Sequence, residues 1–180
     1  MDTALVIRRT ESCEGRVHHM YRCTGGKVTI GIGHAIESPS DALRLSWSIE
    51  GRTATGAEIQ ADYASVAAAQ KGLLAQSYAA FSQCRMADSD IDALIAADTA
   101  AFENSLAAAL PNWNTYPAPA QAALFDMAFN LGLGGLQRFT QLLAAVDAGQ
   151  WDVAAAQCHR KGIGEDRNQQ TAALFLQAAG

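Results

Sequence analysis

Three residues near the start of the chain, Glu14, Cys23 and Thr29, have side chains that could act together in acid or base chemistry. Glu14 is expected to close a helix just before the chain turns into a sheet, where a carboxyl group can be half-buried and its pKa raised. Such a carboxyl group is a candidate general acid. Cys23 and Thr29 flank a predicted hairpin turn, so strand pairing would bring them together, and both could face a cleft with Glu14.

Each of these residues, taken alone, also has a purely structural interpretation. Glu14 could be a solvated carboxylate at a helix end, and Cys23 and Thr29 could be ordinary strand residues.

The four cysteines show no CxxC pair, so free thiols are expected, with Cys84 and Cys158 filling core space. Cys13 is expected to pack in the first helix; its oxidation with Cys23, which would silence the site, remains an open alternative.

Two groups of residues that could bind a nucleotide or a zinc ion match the known motifs poorly. The Gly31-Ile32-Gly33 stretch lacks the third glycine of a dinucleotide-binding loop, and no helix begins there. Cys13, Cys23 and His34 contain zinc-binding atoms, but their long, irregular spacings match no common zinc pattern. We therefore expect neither a metal ion nor a cofactor.

The elements that must position these residues change in character near Thr53. A short helix is predicted over 4–12, followed by a β-hairpin or three-stranded sheet within 16–36 that turns at Thr24-Gly25-Gly26. Ser38, Pro39 and Asp41 predict a helix start, and that helix is expected to end near Glu50. A long connecting helix is then expected over about 58–80.

The rest of the chain is rich in alanine and predicts helices only. These are expected at about 88–110, 120–131, 136–148, 151–159 and 167–178. The helix at 120–131 is apolar on nearly all of its faces and is therefore expected to be buried. The sequence predicts a mainly helical α+β fold with a small lobe over about 14–57. The connecting helix leads to a larger helical lobe over about 81–180, on which helix 4–12 packs.

The composition excludes several classes of protein. The chain of 180 residues is 49% hydrophobic with a net charge of −5, so disorder is not expected, and no apolar run reaches the roughly 20 residues that span a bilayer. The 18 acidic and 13 basic residues argue against a nucleic-acid partner. Residues 61–135 contain 7 acidic and 2 basic residues, so this segment carries the whole excess. The N-terminus shows no secretory signal, so synthesis in the cytoplasm is expected.

The intervals from Glu14-Gly15 to Cys23 and on to Thr29-Ile30-Gly31-Ile32-Gly33-His34 resemble the phage-type lysozymes, the muramidase family typified by the lysozyme of T-even bacteriophages. In that family the Glu is followed by Gly, eight residues in all separate the Glu from an Asp or, less often, a Cys, and five more separate that residue from a Thr. A second match, over 123–132, is similar to the family's central helix. Later matches are Phe139-Thr140, Trp151-Asp152 and Arg167-Asn168.

The resemblance implies that the substrate is the β-1,4 bond between N-acetylmuramic acid and N-acetylglucosamine in peptidoglycan. By that resemblance Glu14 would protonate the leaving oxygen and Thr29 would position the attacking water. Arg167 would reach Glu14 across the cleft and so work against a raised pKa. The implied substrate-binding residues are His34, Phe129, Asn130 and Gln157, and His34 is expected mainly to brace the hairpin.

Cys23 departs from the commonest family pattern, which has Asp at this position. A thiol with a pKa of about 8.5 is only roughly 3% ionised at neutral pH, so Cys23 serves as a base only if its pKa is lowered. Arg22, His18 and His19 could lower it, whereas Glu14 would oppose ionisation. Whether Cys23 is a base or a covalent nucleophile remains open, and the stereochemistry of the product would distinguish inversion from retention.

The sequence leaves two classes of function. The first is an active muramidase, released as an endolysin, delivered as an antibacterial effector or carried on a phage tail, that acts on the periplasmic wall. The alternative is a non-catalytic peptidoglycan-binding or assembly component with the same fold. The expected partners are peptidoglycan glycan strands, and in the effector case an immunity or inhibitor protein; we expect a monomer with no stable membrane insertion.

Overall fold

The computed structural model describes residues 1–180, and the chain divides into two compact units. The N-terminal unit comprises Arg9–Asp98, and the helical unit comprises Met1–Arg8 with Thr99–Gly180. The divisions fall within α1 (Thr3–Glu14) and α4 (Asp88–Ala109). The predicted mainly helical α+β fold with a small antiparallel sheet is confirmed.

The sheet of the N-terminal unit is antiparallel, with its three strands in chain order. The strands are β1 (Val17–Arg22), β2 (Val28–Gly31) and β3 (His34–Ile36). Tyr21 pairs with Thr29, so the turn between β1 and β2 lies at 23–27. Gly26 in this turn has a φ of 83°, a backbone conformation that a residue with a Cβ rarely adopts. The sheet predicted within 16–36 is therefore present.

The helix expected from Pro39 to Glu50 is much shorter. Helix α2 covers only Pro39–Ala42, capped by Ser38, and the buried indole of Trp47 donates to the Ala42 carbonyl at 2.8 Å. A hairpin follows, formed by β4 (Ser48–Ile49) and β5 (Arg52–Thr53). The Ser48 amide donates to the Arg85 carbonyl at 2.9 Å, so a long-range pairing overrides the local preference for helix.

The connecting helix expected over 58–80 is also wrong in length. Helix α3 covers Gly56–Ala68, and Ala69 after it adopts an extended backbone. The Ala69 carbonyl accepts a hydrogen bond from the Arg22 guanidinium at 2.7 Å, so a side chain replaces the next helical donor. A separate 3₁₀ helix then covers Ala75–Ala80.

The helical unit is built around α5 (Ala118–Leu131), whose residues from Ala120 to Ala128 are all buried. Leu106, Trp113 and Phe175 pack in the same core. The later helices are α6 (Leu133–Leu136), α7 (Thr140–Asp147), α8 (Trp151–Gln157) and α9 (Glu165–Gln177). The central buried helix is as predicted, whereas the helix expected over 136–148 begins only at Thr140. None of the helices combines the length and the apolar character that a membrane span requires.

Candidate functional site

Glu14 is the last residue of α1, and Gly15, with a φ of 76°, turns the chain from this helix into β1. Arg16 anchors the junction through ion pairs to Glu11 and Asp92, each at 2.7 Å. The Glu14 side chain is exposed, so the expectation of a half-buried carboxyl is wrong. A helix end held by ionic contacts thus presents this carboxyl group to solvent.

Cys23 and Thr29 lie on either side of the β1–β2 turn, and the structure brings them together as expected. The Cys23 amide donates to the Lys27 carbonyl at 3.0 Å, which closes the turn. The Thr29 side chain is only 2% exposed, and its hydroxyl lies 3.1 Å from the Lys27 carbonyl and within hydrogen-bonding reach of the Cys23 sulfur. The hydroxyl can therefore donate to either acceptor.

The environment of the Cys23 sulfur favours its thiolate form. Burial alone raises the pKa of Cys23, because a charged sulfur is poorly solvated there. The backbone N–H of Lys27, the Thr29 hydroxyl and the N–H groups of Gly25 and Gly26 hydrogen-bond the sulfur and more than offset this effect. The net result is a Cys23 pKa below that of an ordinary thiol.

The charged side chains expected to assist Cys23 have other partners. Arg22 donates to two backbone carbonyls, at 3.1 and 2.7 Å. His18 lies 3.0 Å from the Asp88 carboxylate, and the His19 ring lies 3.0 Å from a carbonyl of the 3₁₀ helix. Burial lowers the pKa of His19, so this ring is poorly suited to supply a positive charge. The turn backbone and a hydroxyl, not these cations, stabilise the Cys23 thiolate.

Tyr21 is buried on β1 two residues before Cys23. Burial raises the pKa of Tyr21 to about 12, and the negative charges of Glu14 and Cys23 add to this effect, while a backbone hydrogen bond from Gly33 opposes it. The charges of both groups thus act on Tyr21 within the N-terminal unit. Cys23 and Thr29 adjoin each other at the β1–β2 turn, and Glu14 ends the helix that leads into β1.

His34 begins β3 and contacts α4. Its Nδ1 lies 2.8 Å from the Asp98 carboxylate, and both side chains are half-buried. This pair connects the sheet to the helix, in agreement with the expected bracing role. A contact between His34 and substrate remains a prediction.

A buried ionic network occupies the helical unit. Asp126 of α5 is 8% exposed and accepts hydrogen bonds from Arg160 at 2.8 Å, Arg167 at 2.8 and 3.0 Å, and Thr171 at 3.0 Å. Asn168 exchanges two hydrogen bonds with the backbone of Arg160, which is 1% exposed. Burial raises the pKa of Asp126, but the Arg167 and Arg160 guanidiniums outweigh it and hold the pKa below its ordinary value.

The proposed sugar-binding residues of the helical unit differ in exposure. Phe129 is half-buried and stacks on Phe125, with ring centroids 6.0 Å apart. Asn130 is exposed near the end of α5. Gln157 ends α8 and, with Thr140, lines a cavity of about 330 Å³. The Arg167 guanidinium is held by Asp126, and its expected contact with Glu14 stays a prediction.

The four cysteines are free thiols. Cys84 and Cys158 are buried as expected, and burial raises the pKa of Cys84 to about 12. Cys13 is exposed, so the expectation that it packs within the first helix is wrong. The structure shows no group of three or more His, Cys, Asp or Glu side chains arranged to hold a metal ion.

Comparison with protein families matches residues 11–174 to the phage lysozyme model. The chain belongs to the phage lysozyme family. The predicted family is thus confirmed, and with it a lysozyme-type function directed at peptidoglycan. A comparison with curated proteins finds no match.

Sequence reasoning missed two features of this phage lysozyme family member. Tyr21 lies only in a predicted strand, although its position two residues before Cys23 is the spacing that places side chains on one side of an extended chain. In the sequence, Asp126 lies within a motif that is otherwise mostly apolar. A carboxylate in a helix that is otherwise buried requires a cationic partner, and this rule could have directed attention to Arg160 and Arg167.

Proposed function

We propose that this protein is a muramidase that hydrolyses the β-1,4 bond between N-acetylmuramic acid and N-acetylglucosamine. The observation that carries the proposal is the pairing of Cys23 with Thr29 across the β1–β2 turn, with Glu14 at the end of the preceding helix, all within the matched region 11–174. The family supplies the reaction class, and these three side chains supply an acid, a thiolate and a hydroxyl.

In the proposed mechanism Glu14 is the general acid. It donates its proton to the leaving glycosidic oxygen as the bond from that oxygen to C1 of the sugar breaks. Glu14 is exposed, so a polymeric substrate can reach it. Thr29 positions the attacking water, and its hydroxyl can also hydrogen-bond Cys23.

Cys23 has two candidate roles, both compatible with a lowered pKa. As a base, its thiolate takes a proton from the water that attacks C1, and the product is inverted. As a nucleophile, its sulfur bonds to C1 while the leaving oxygen takes the Glu14 proton. Water then attacks C1 and gives a proton to the Glu14 carboxylate, the thiolate leaves, and the configuration is retained.

The remaining site residues enter the proposal as positioning and binding groups. Arg167 would orient the Glu14 carboxyl, and its rigid attachment to Asp126 supports a fixed guanidinium. The proposed sugar-binding residues are His34, Phe129, Asn130 and Gln157.

In this proposal the protein acts on the cell wall after release or delivery. A neighbouring holin gene would favour an endolysin, and a neighbouring immunity gene would favour an effector.

The proposal is tested by Glu14→Gln, which removes the proton while keeping the shape of the side chain. We expect the release of reducing ends from purified peptidoglycan to fall by at least about 100-fold, because general acid catalysis contributes that much. Glu50→Gln, an exposed glutamate on the β4–β5 turn, is the matched control and should leave the rate unchanged.

Full activity in Glu14→Gln would contradict the proposed acid. If the wild type sediments with cell walls yet releases no reducing ends at any pH, the protein is a binding component and not a hydrolase. Circular dichroism of each variant would show that the fold is retained.

A further inference from the structure

Two cationic side chains flank the turn that follows Cys23. A Cβ placed on Gly26 would lie 3.3 Å from the Lys71 Nζ and 3.5 Å from the Arg22 Nη2. Both nitrogens are therefore within 3.5 Å of a single point on the turn. Since glycine has no Cβ, Gly26 leaves open the space beside which the Lys71 and Arg22 side chains lie.

Neither cation forms an ion pair. The Arg22 guanidinium donates to the carbonyls of Gly26 and Ala69, which fixes its position but leaves its charge uncompensated. Lys71 is exposed and has no hydrogen-bonding or ionic partner. Lys27, on the same turn, is different, because it pairs with Glu37 at 2.6 Å. Two unneutralised positive charges thus converge beside the candidate catalytic turn.

The Cys23 sulfur forms no hydrogen bond with either cation. Its hydrogen bonds come from the N–H groups of the turn and from Thr29, and the Arg22 guanidinium donates to backbone carbonyls. Lys71 also lies in the segment 61–135, which has only 2 basic residues against 7 acidic ones. The positive charge is therefore local, and it favours an anionic group of the ligand.

We propose that Lys71 and Arg22 form an anion subsite that binds carboxylates of the peptide stems carried by the glycan strand. This inference rests on the proposed function, because it takes peptidoglycan as the ligand. The glycan of the intact wall is uncharged where its lactyl groups are joined to peptide, so the stems supply carboxylates close to the sugars. Arg22 is held in place by two carbonyls, whereas Lys71 can adjust to the stem.

The test is the binding of Lys71 variants to purified cell walls. Lys71→Met keeps the side chain that covers Gly26 but removes the charge, and Lys71→Arg keeps the charge. Lys161→Met is the matched control, since Lys161 is also exposed and forms no ion pair. Each protein is sedimented on ice with native walls and with walls whose carboxylates have been converted to neutral amides with ethanolamine and carbodiimide.

We expect Lys71→Met to bind native walls about three- to fivefold more weakly than the wild type, the size of effect typical of an exposed ionic contact. Lys71→Arg and Lys161→Met should bind like the wild type. On amidated walls all four proteins should bind equally. The difference on native walls should shrink at 1 M salt, where the screening length falls to about 3 Å.

Unchanged binding of Lys71→Met to native walls would overturn the subsite, as would an equal loss on amidated walls or a wild type that does not sediment. A difference that persists after amidation would indicate another anion, such as phosphate, and would also overturn it. The release of reducing ends is measured separately. A wild type that binds through Lys71 but cleaves nothing would refute the hydrolase and leave the subsite intact.

Discussion

Among single residues, Cys23 is the one whose chemistry depends most on its surroundings. Because hydrogen bonds from the turn and from Thr29 lower the Cys23 pKa, its alkylation should reach half-maximal rate at a lower pH than that of a cysteine in an unstructured peptide. The measurement is the rate of iodoacetamide labelling against pH by mass spectrometry, in a Cys13→Ser background. Cys84 and Cys158 are buried and should label slowly.

Thr29→Val removes one hydrogen-bond donor from the thiolate and should move this midpoint to higher pH. Thr24→Val is the matched control, because Thr24 lies in the same turn but is exposed and does not bond the sulfur. A midpoint at or above that of free cysteine in the wild type would contradict the stabilised thiolate.

The positions of Cys23 and Thr29 could be predicted from sequence, because a glycine turn between two β-rich segments fixes which residues face each other. The source of the lowered Cys23 pKa could not. It arises largely from backbone N–H groups, that of Lys27 first and those of Gly25 and Gly26 after it, together with the Thr29 hydroxyl. Every residue type except proline supplies such an N–H group. Only the path of the turn decides whether those groups point at the sulfur.

Among the elements, the stability of α3 depends on the hydrogen bonds that cap its first turn. The Thr55 side chain accepts from the Glu58 amide, and the Glu58 carboxylate accepts from the Thr55 amide at 2.8 Å, a reciprocal capping box. Thr55→Ala should lower the free energy of unfolding by about 1 kcal/mol, measured by urea denaturation. Ser65→Ala, at an exposed position inside α3, should leave stability unchanged or slightly raised. Equal stabilities of Thr55→Ala and the wild type would contradict the capping role.

The two helices that were predicted too long show what local patterns omit. The start at Ser38 and Pro39 was correct because capping is local. The ends were not, because Trp47 and Arg22 close α2 and α3 by donating side-chain hydrogen bonds to Ala42 and Ala69. These contacts, made from outside each helix, are not encoded in the periodicity of either segment.

For the whole molecule, the buried network at Asp126 links stability to pH. Its folded pKa lies below the unfolded value of about 3.9, so its stabilising contribution is present above that value and is lost as pH falls through the folded pKa. Asp126→Asn leaves Arg160 and Arg167 without their shared carboxylate, and should lower the free energy of unfolding at pH 7 by about 3–5 kcal/mol.

The measurement is urea denaturation of Asp126→Asn and the wild type from pH 7 to pH 2. The difference between the two proteins should narrow below about pH 4, because the wild-type carboxylate becomes protonated there. Asp152→Asn, at an exposed carboxylate of α8, is the control and should resemble the wild type. A constant difference at every pH would contradict the assignment to the Asp126 charge.

The net charge of the whole chain conceals an uneven distribution of charged residues along the sequence. A net charge of −5 opposes binding to an anionic wall, yet residues 1–60 contain equal numbers of acidic and basic groups. The structure adds that Arg22 and Lys71, which lie 49 positions apart in the sequence, meet at one turn. Such a meeting requires the tertiary fold and cannot be read from segment totals.

The positions of the three tryptophans give the protein a spectroscopic reporter in each unit. Trp47 is 4% exposed in the N-terminal unit, and Trp113 is 1% exposed in the helical unit, which also contains the half-buried Trp151. A chain in which Trp113 and Trp151 are replaced by phenylalanine would fluoresce from the N-terminal unit alone, and Trp47→Phe from the helical unit alone. Native emission can thus follow the melting of each unit without an added dye.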